Sequence, residues 1–195
     1  GPARALFGGN ALHGVINTVS AAGARGLGGS VEVGPYEYVQ ARAAFGNDTL
    51  QLAANATHSD GYRADTGYGQ QKLTGSLRTD HGTWQATHRA SWTNLNQETG
   101  GFVRGFEAYE DSALRRTNPN PEAYRDAWSF RAASHWRKAV EDGNAAWHVT
   151  PYLRRSVMNF FQHVLPGQPL EKNDQTSWGV LGKHARGGDE ISWTV

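Results

Sequence analysis

The side chains best suited to chemistry in this sequence are guanidinium groups and aromatic rings in two polar stretches. Phe102, Arg104, Phe106, Tyr109, Arg115 and Arg116 stand between roughly residues 95 and 123, and Phe160, Phe161 and His163 between roughly 159 and 175. Guanidinium groups present paired donors that match carboxylates, phenolates and similar anions, and rings add flat apolar contact with few torsions to freeze. This is the chemistry of recognising a small anionic molecule, not of making or breaking its bonds. Phe102, Arg104, Tyr109, Arg115, Arg116, Phe161 and His163 are therefore the candidate substrate-binding residues. The same residues also suit a solvated loop whose charges only keep a surface soluble or bridge phosphates.

Catalytic constellations do not emerge from the spacing. Gly26-Leu27-Gly28 opens like a dinucleotide fingerprint but has Val31 where the third glycine belongs, and no phosphate-loop lysine follows. There is no His-Glu-x-x-His and no Gly-x-Ser-x-Gly, and the eight histidines lie on separate segments without ligand spacing. Cysteine is absent, which excludes a disulfide framework and thiolate metal sites. No metal and no cofactor is expected, and the chain does not read as an enzyme. Asn47-Asp48-Thr49 and Asn55-Ala56-Thr57 match the glycosylation pattern, and chance is the better reading of both. With 19 basic against 18 acidic residues, nothing in the charge argues for a nucleic-acid partner.

The elements that must position these residues are strands. In Val39–Phe45 one face holds Val39, Ala41, Ala43 and Phe45 and the other Gln40, Arg42 and Ala44. The same alternation recurs in residues 50–57, 72–78, 84–93 and 128–137, the last with Trp128, Phe130, Ala132 and Trp136 opposing Arg131, Ala133, His135 and Arg137. The second face is too polar for a sandwich core, so it meets solvent or a wet lumen. The connections alternate in length. Gly46-Asn47-Asp48, Asp80-His81-Gly82, Glu141-Asp142-Gly143-Asn144 and Gly187-Gly188-Asp189 have tight-turn chemistry, and long segments at roughly 60–70, 95–123 and 159–175 fall between them. An up-and-down barrel in an outer membrane has this arrangement, with short turns at one end and longer loops at the other.

Two magnitudes agree with a barrel. Trp84 and Trp92 share a face, as do Trp128 and Trp136, and eight residues at a rise of about 3.3 Å span roughly 27 Å along a strand. At a tilt near ~40° this projects to about 20 Å on the membrane normal, against an apolar band of about 25 Å flanked by aromatic girdles. The mean hydropathy of -0.62 does not oppose this, because only alternate residues of such strands need be apolar. Two residues weigh against it. His88 falls on the Trp84/Trp92 face, and Pro151 interrupts what reads as a central strand.

The first twenty residues add a family. Pro2–Phe7 reads as a helical turn ended by Gly8-Gly9, and Gly14–Val19 as a strand. The string GPARALFGGNALHGVINTVS strongly resembles the closing segment of the plug domain in TonB-dependent outer-membrane receptors, with His13 where the family often has a small residue. Weaker similarity follows in order at Gly34-Pro35-Tyr36, Asp60-Gly61-Tyr62-Arg63 and Thr150–Arg155. The resemblance implies an all-β fold, an incomplete antiparallel up-and-down transmembrane β-barrel preceded by the end of a plug domain. Residues 1–27 would be the plug end and linker, and residues 28–195 about the first nine strands, with both termini cut. Barrels of the family have about 22 strands and a plugged lumen. The resemblance further implies residence in the outer membrane of a Gram-negative bacterium, amid lipid and lipopolysaccharide. It implies energy from the inner-membrane TonB complex, engaged through a TonB box upstream, and active uptake of a scarce ligand. Ferric siderophores and related iron chelates are the commonest class, with cobalamin, haem, other chelates and glycans beside them. A passive outer-membrane porin and a soluble β-rich binding module remain the alternatives.

Overall fold

The computed structural model describes residues 25–139, 145–186 and 189–194. The helical turn and strand expected within residues 2–19 lie outside them. Nine strands follow one another: β1 (Gly26–Gly34), β2 (Tyr38–Gly46), β3 (Leu50–Ser59), β4 (Tyr68–His81), β5 (Trp84–Glu98), β6 (Tyr124–Ala139), β7 (Ala145–Phe161), β8 (Leu170–Arg186) and β9 (Asp189–Thr194). Each is antiparallel to the next in a single up-and-down sheet of order β1 to β9. The described residues contain no α-helix, only a single 3-10 turn at Leu114–Arg116. The last two residues of the segment expected to be plug end and linker, Gly26 and Leu27, are already in strand β1.

Register sorts the side chains onto two faces. Leu27, Phe45, Leu52, Gly75, Ala90, Ala132, Leu153 and Trp178 are successive cross-strand partners and form one continuous apolar row. The row above it contains Ala43, Ala54, Leu73, Trp92 and Phe130. Nothing among the described residues covers this face: Leu27 is 83% exposed, Trp178 75% and Leu73 52%. The only buried hydrophobic residues described are Ala86 and Ala123. A sandwich would pack a second sheet here. The described residues instead form one layer, held by its ladder and by cross-strand pairs.

The apolar face is zoned along the strands. At the short-turn end, His81, Trp84, Lys138, Trp147 and His184 stand opposite one another in turn. There the Lys138 ammonium lies 5.9 Å from the Trp84 ring centroid, and the Trp147 and His184 rings are 4.3 Å apart. At the other end Asn94 donates to Gln71 at 2.9 Å and Asn96 to Asp126 at 3.0 Å. Between these rows most positions are apolar. The opposite face carries Gln40, Arg42, Asn55, Lys72, Arg89, Arg131 and Arg154, with Arg131 directly across from Arg154.

Both residues that weighed against this pattern are accommodated. His88 lies on the apolar face, with Nε2 3.0 Å from Thr79 Oγ1 and Nδ1 2.7 Å from Ser134 Oγ. Trp136 meets its ring edge-on at 5.6 Å. Neighbouring strands thus satisfy both ring nitrogens. Pro151 lies inside β7 and keeps its register with Val180, while the β6–β7 pairing skips from Ala133↔Tyr152 to Trp136↔Val149. Proline has no N–H to give the ladder. A side-chain bond, His135 Nδ1 to Thr150 Oγ1 at 2.9 Å, bridges the interval.

Short and long connections alternate as expected where they are described. Residues 47–49 and 82–83 join strands at one end, and residues 60–67, 99–123 and 162–169 at the other, where the three-residue β1–β2 connection, 35–37, is the short exception. The long connections are shorter than expected because the ladder continues through polar residues such as Asn94 and Asn96, past the end of the apolar alternation. At the tight β2–β3 turn, Asn47 Oδ1 accepts from the N–H of Thr49 at 2.9 Å and of Leu50 at 2.7 Å. Asn47→Ala removes both bonds, and we expect a loss of about 1 kcal/mol. Asn47→Asp retains the acceptor and should recover most of it. The denaturant midpoint of the full-length protein measures both.

Candidate functional site

The candidate residues sit on the long-loop end, in the β5–β6 and β7–β8 connections and at the last residue of β7. The β5–β6 connection, residues 99–123, is not a free flap. It folds onto the β3–β4 connection, where Arg63 donates from Nε to the Thr117 carbonyl at 2.8 Å and from Nη2 to the Gly101 carbonyl at 2.7 Å. Ala64 N–H donates to the Arg116 carbonyl at 2.9 Å, and Asn118 Nδ2 to the Asp65 carbonyl at 2.8 Å. A guanidinium that spans two carbonyls is a strong, planar clamp. Asp60-Gly61-Tyr62-Arg63 therefore has a local physical role: the glycine makes the bend, the tyrosine forms a shelf and the arginine fastens the longer loop.

Gly61 has φ +81°, and a Cβ there would collide with the backbone carbonyl of Thr66. The shelf is Tyr62 packed edge-on against Tyr36 at 5.5 Å, with the Arg116 guanidinium 5.4 Å and 6.0 Å from their ring centroids. A cation over two aromatic faces is held by their quadrupoles. The 3-10 turn preceding Thr117 is capped by Asp111, whose carboxylate accepts from Ala113 N–H and Leu114 N–H, both at 2.9 Å. Those two bonds, Leu114's first and Ala113's second, hold the Asp111 carboxyl below its ordinary range. Because the folded value is the lower one, the cap is fully formed above the ordinary carboxylate pKa. It is lost as pH falls through the lowered value.

The seven candidates separate into two groups. Phe102, Arg104, Tyr109 and Arg115 point into solvent, with Phe102 81% and Tyr109 69% exposed, and Phe106 beside them is 93% exposed. Arg116 braces the loop against Tyr36 and Tyr62. Phe161 is half-buried in a stack on Tyr124 at 6.2 Å, next to Phe160, whose ring lies 4.5 Å from the Arg125 guanidinium. His163 is half-buried, and its Nδ1 is enclosed without a hydrogen-bond partner. Gln168 Nε2 donates to Glu122 Oε1 at 3.2 Å, tying the β7–β8 connection to the base of the β5–β6 loop. The exposed group can meet a solute directly, whereas Arg116 holds the loop against Tyr36 and Tyr62 and Phe161 packs between the ends of β6 and β7.

The polar face supplies features that no motif announced. A hollow of about 670 Å³ lies over β1 to β4, lined by Gln40, Arg42, Asn55, Gln70 and Lys72. Further along, His135 and His148 stack at 5.4 Å, with His148 Nδ1 3.4 Å from His135 Nε2. Only register could have revealed this, since the two histidines are thirteen residues apart on different strands.

Gly61→Val forces a β-branched residue into φ +81° against the Thr66 carbonyl. The expected outcome is a sheet that still assembles, with the 99–123 loop released. Amide exchange should rise at least about tenfold at Ala64, which is bonded to that loop, a change equivalent to about 1.4 kcal/mol. Unchanged protection there would show that the loop is held elsewhere.

No family model, no curated protein and no solved structure matches the chain, so its function is argued from the residues and their geometry.

Proposed function

We propose that this chain forms the N-terminal part of the transmembrane β-barrel of a TonB-dependent outer-membrane receptor, with the end of the plug domain in residues 1–27. The receptor takes up a scarce ligand actively, a ferric siderophore or related metal chelate. The carrying observation is the uncovered apolar face with its zoning. From the Trp84–Lys138 row to the Gln71–Asn94 row is ten residues along β5, roughly 33 Å at about 3.3 Å per residue. At a tilt near ~40° that is about 25 Å along the membrane normal, the height of an outer-membrane apolar band. Rings beside basic and imidazole groups at the lower row suit the boundary between acyl chains and headgroups.

In this reading the apolar face meets lipid, the basic polar face lines a wet lumen, and the long connections face outward amid lipopolysaccharide. Energy comes from the inner-membrane TonB complex, through sequence upstream of the plug. A passive porin would share the sheet; the plug-like string of residues 1–20 favours the gated receptor. Phe102, Arg104, Tyr109 and Arg115 meet the chelate first, where paired guanidinium donors and exposed rings suit an anionic aromatic surface.

Ala132 lies on the apolar face between Ala90 and Leu153, and Ala133 on the polar face between Arg89 and Tyr152. In the full-length protein Ala132→Arg should cost about 2–4 kcal/mol near the bilayer midplane, and Ala133→Arg little. Equal losses in the unfolding free energy of the two variants would exclude the lipid assignment. Function is tested by uptake of radiolabelled ferric siderophores into cells expressing the full-length gene. Uptake should vanish without a working TonB complex, and Arg104→Ala with Arg115→Ala should weaken ligand binding at least about tenfold at equal surface expression. TonB-independent uptake would point to the porin.

A further inference from the structure

The geometry points to a divalent transition-metal site on the outer rim of the sheet, formed by Glu37, His58 and Asp60. Each offers one ligand atom, and the three atoms lie within 4.8 Å of one another. His58 Nε2 and Asp60 Oδ1 are already 3.1 Å apart. Metal–ligand bonds of about 2.0–2.2 Å in tetrahedral or octahedral arrangement place donors roughly 3.0–3.5 Å from each other. The histidine and Asp60 thus have the required spacing, and the Glu37 carboxylate, on an exposed side chain, lies no more than 4.8 Å from either donor.

The donors come from two segments that the backbone locks together. Asp60 N–H donates to the Tyr36 carbonyl at 2.8 Å, and Ser59 Oγ donates to the same carbonyl at 3.3 Å. Tyr36 packs on Tyr62 at 5.5 Å, so the turn bearing Glu37 cannot drift from the end of β3 bearing His58 and Asp60. The framework is therefore built before any ion arrives, which lowers the ordering cost of binding.

Donor chemistry selects the cation. Two carboxylates balance a divalent charge, and an imidazole nitrogen favours Zn²⁺, Cu²⁺, Ni²⁺ or Co²⁺ over Ca²⁺ and Mg²⁺, which prefer all-oxygen shells. Three protein ligands leave coordination positions for water or for an oxygen donor from solution. The site follows from the turn geometry and holds whether or not the sheet belongs to a receptor.

The test is zinc binding by the full-length protein in detergent, measured by calorimetry and equilibrium dialysis at neutral pH with excess Ca²⁺ present. Each variant is compared with the wild type, and His148→Ala subtracts any zinc held by the His135–His148 pair. His58→Ala should remove one bound zinc per chain, and Glu37→Gln and Asp60→Asn should each weaken that site at least about tenfold. Zinc should raise the denaturation midpoint of the wild type but not of His58→Ala. Without metal the midpoints should coincide, which separates a lost site from a damaged fold. Equal stoichiometry and affinity in wild type and His58→Ala would overturn the assignment. So would displacement of the zinc by Ca²⁺.

Discussion

Strand register is the constraint on which everything else rests. In a sheet without a covering layer, the backbone ladder is both the scaffold and the means of sorting side chains, because residues alternate faces with period two. A slip of one residue between any two strands would put Arg131 where Phe130 belongs and Arg89 where Ala90 belongs, exchanging the faces from that strand onward. Tight turns prevent the slip. Asn47 closes the β2–β3 turn with its own side chain, and Gly82 at φ +64° adopts the left-handed backbone that the β4–β5 turn requires.

Loop architecture follows from strand length. Because β5 and β6 run past the apolar zone, with Glu98 still opposite Tyr124, the long connection leaves the sheet next to the β3–β4 connection. Glu98 then does double duty: its backbone N–H donates to the Gly67 carbonyl at 2.9 Å and its carboxylate accepts from Gly67 N–H at 3.0 Å. Gly67 is buried, and a side chain there would stand 2.8 Å from the Ser59 carbonyl. The β3–β4 connection is thus fastened at Gly67 to the end of β5, and Arg63 clamps the longer loop through the Gly101 and Thr117 carbonyls. A loop so fixed presents Phe102, Arg104 and Tyr109 outward without collapsing its own rings into a core.

Much of this was legible in the sequence, and the reason differs by element. Alternation located the strands well wherever one face was apolar, as in 39–45, 84–92 and 128–136, because period two is a direct consequence of the pleat. It failed to mark where strands end, since hydrogen bonds continue through Asn94, Asn96 and Asp126 with no apolar signal to show it. Composition alone could suggest binding loops but could not tell Arg104 from Arg116. That difference depends on Tyr36 and Tyr62, more than fifty residues earlier, meeting Arg116 in space. The Glu37–His58–Asp60 cluster was invisible for the same reason: register, not spacing, brings residue 37 to residue 58.

Polar residues on the apolar face show most clearly why residue type is a poor guide to orientation in a single-layer sheet. His88 looked misplaced among tryptophans until Thr79 and Ser134 proved to occupy both of its nitrogens from the adjoining strands. Arg155 shares the face with Phe130 and Trp128, yet its guanidinium bonds Asp174 at 3.0 Å and lies 5.7 Å from the Trp128 ring centroid. In each case a cross-strand neighbour gives an isolated polar group a partner, which reduces the cost of placing it among apolar side chains. Both arrangements also span adjacent strands, so they form only in the correct register. Polar groups placed in this way reinforce the alignment that the apolar rows specify, and they distinguish it from a slipped sheet that would leave the same groups without partners.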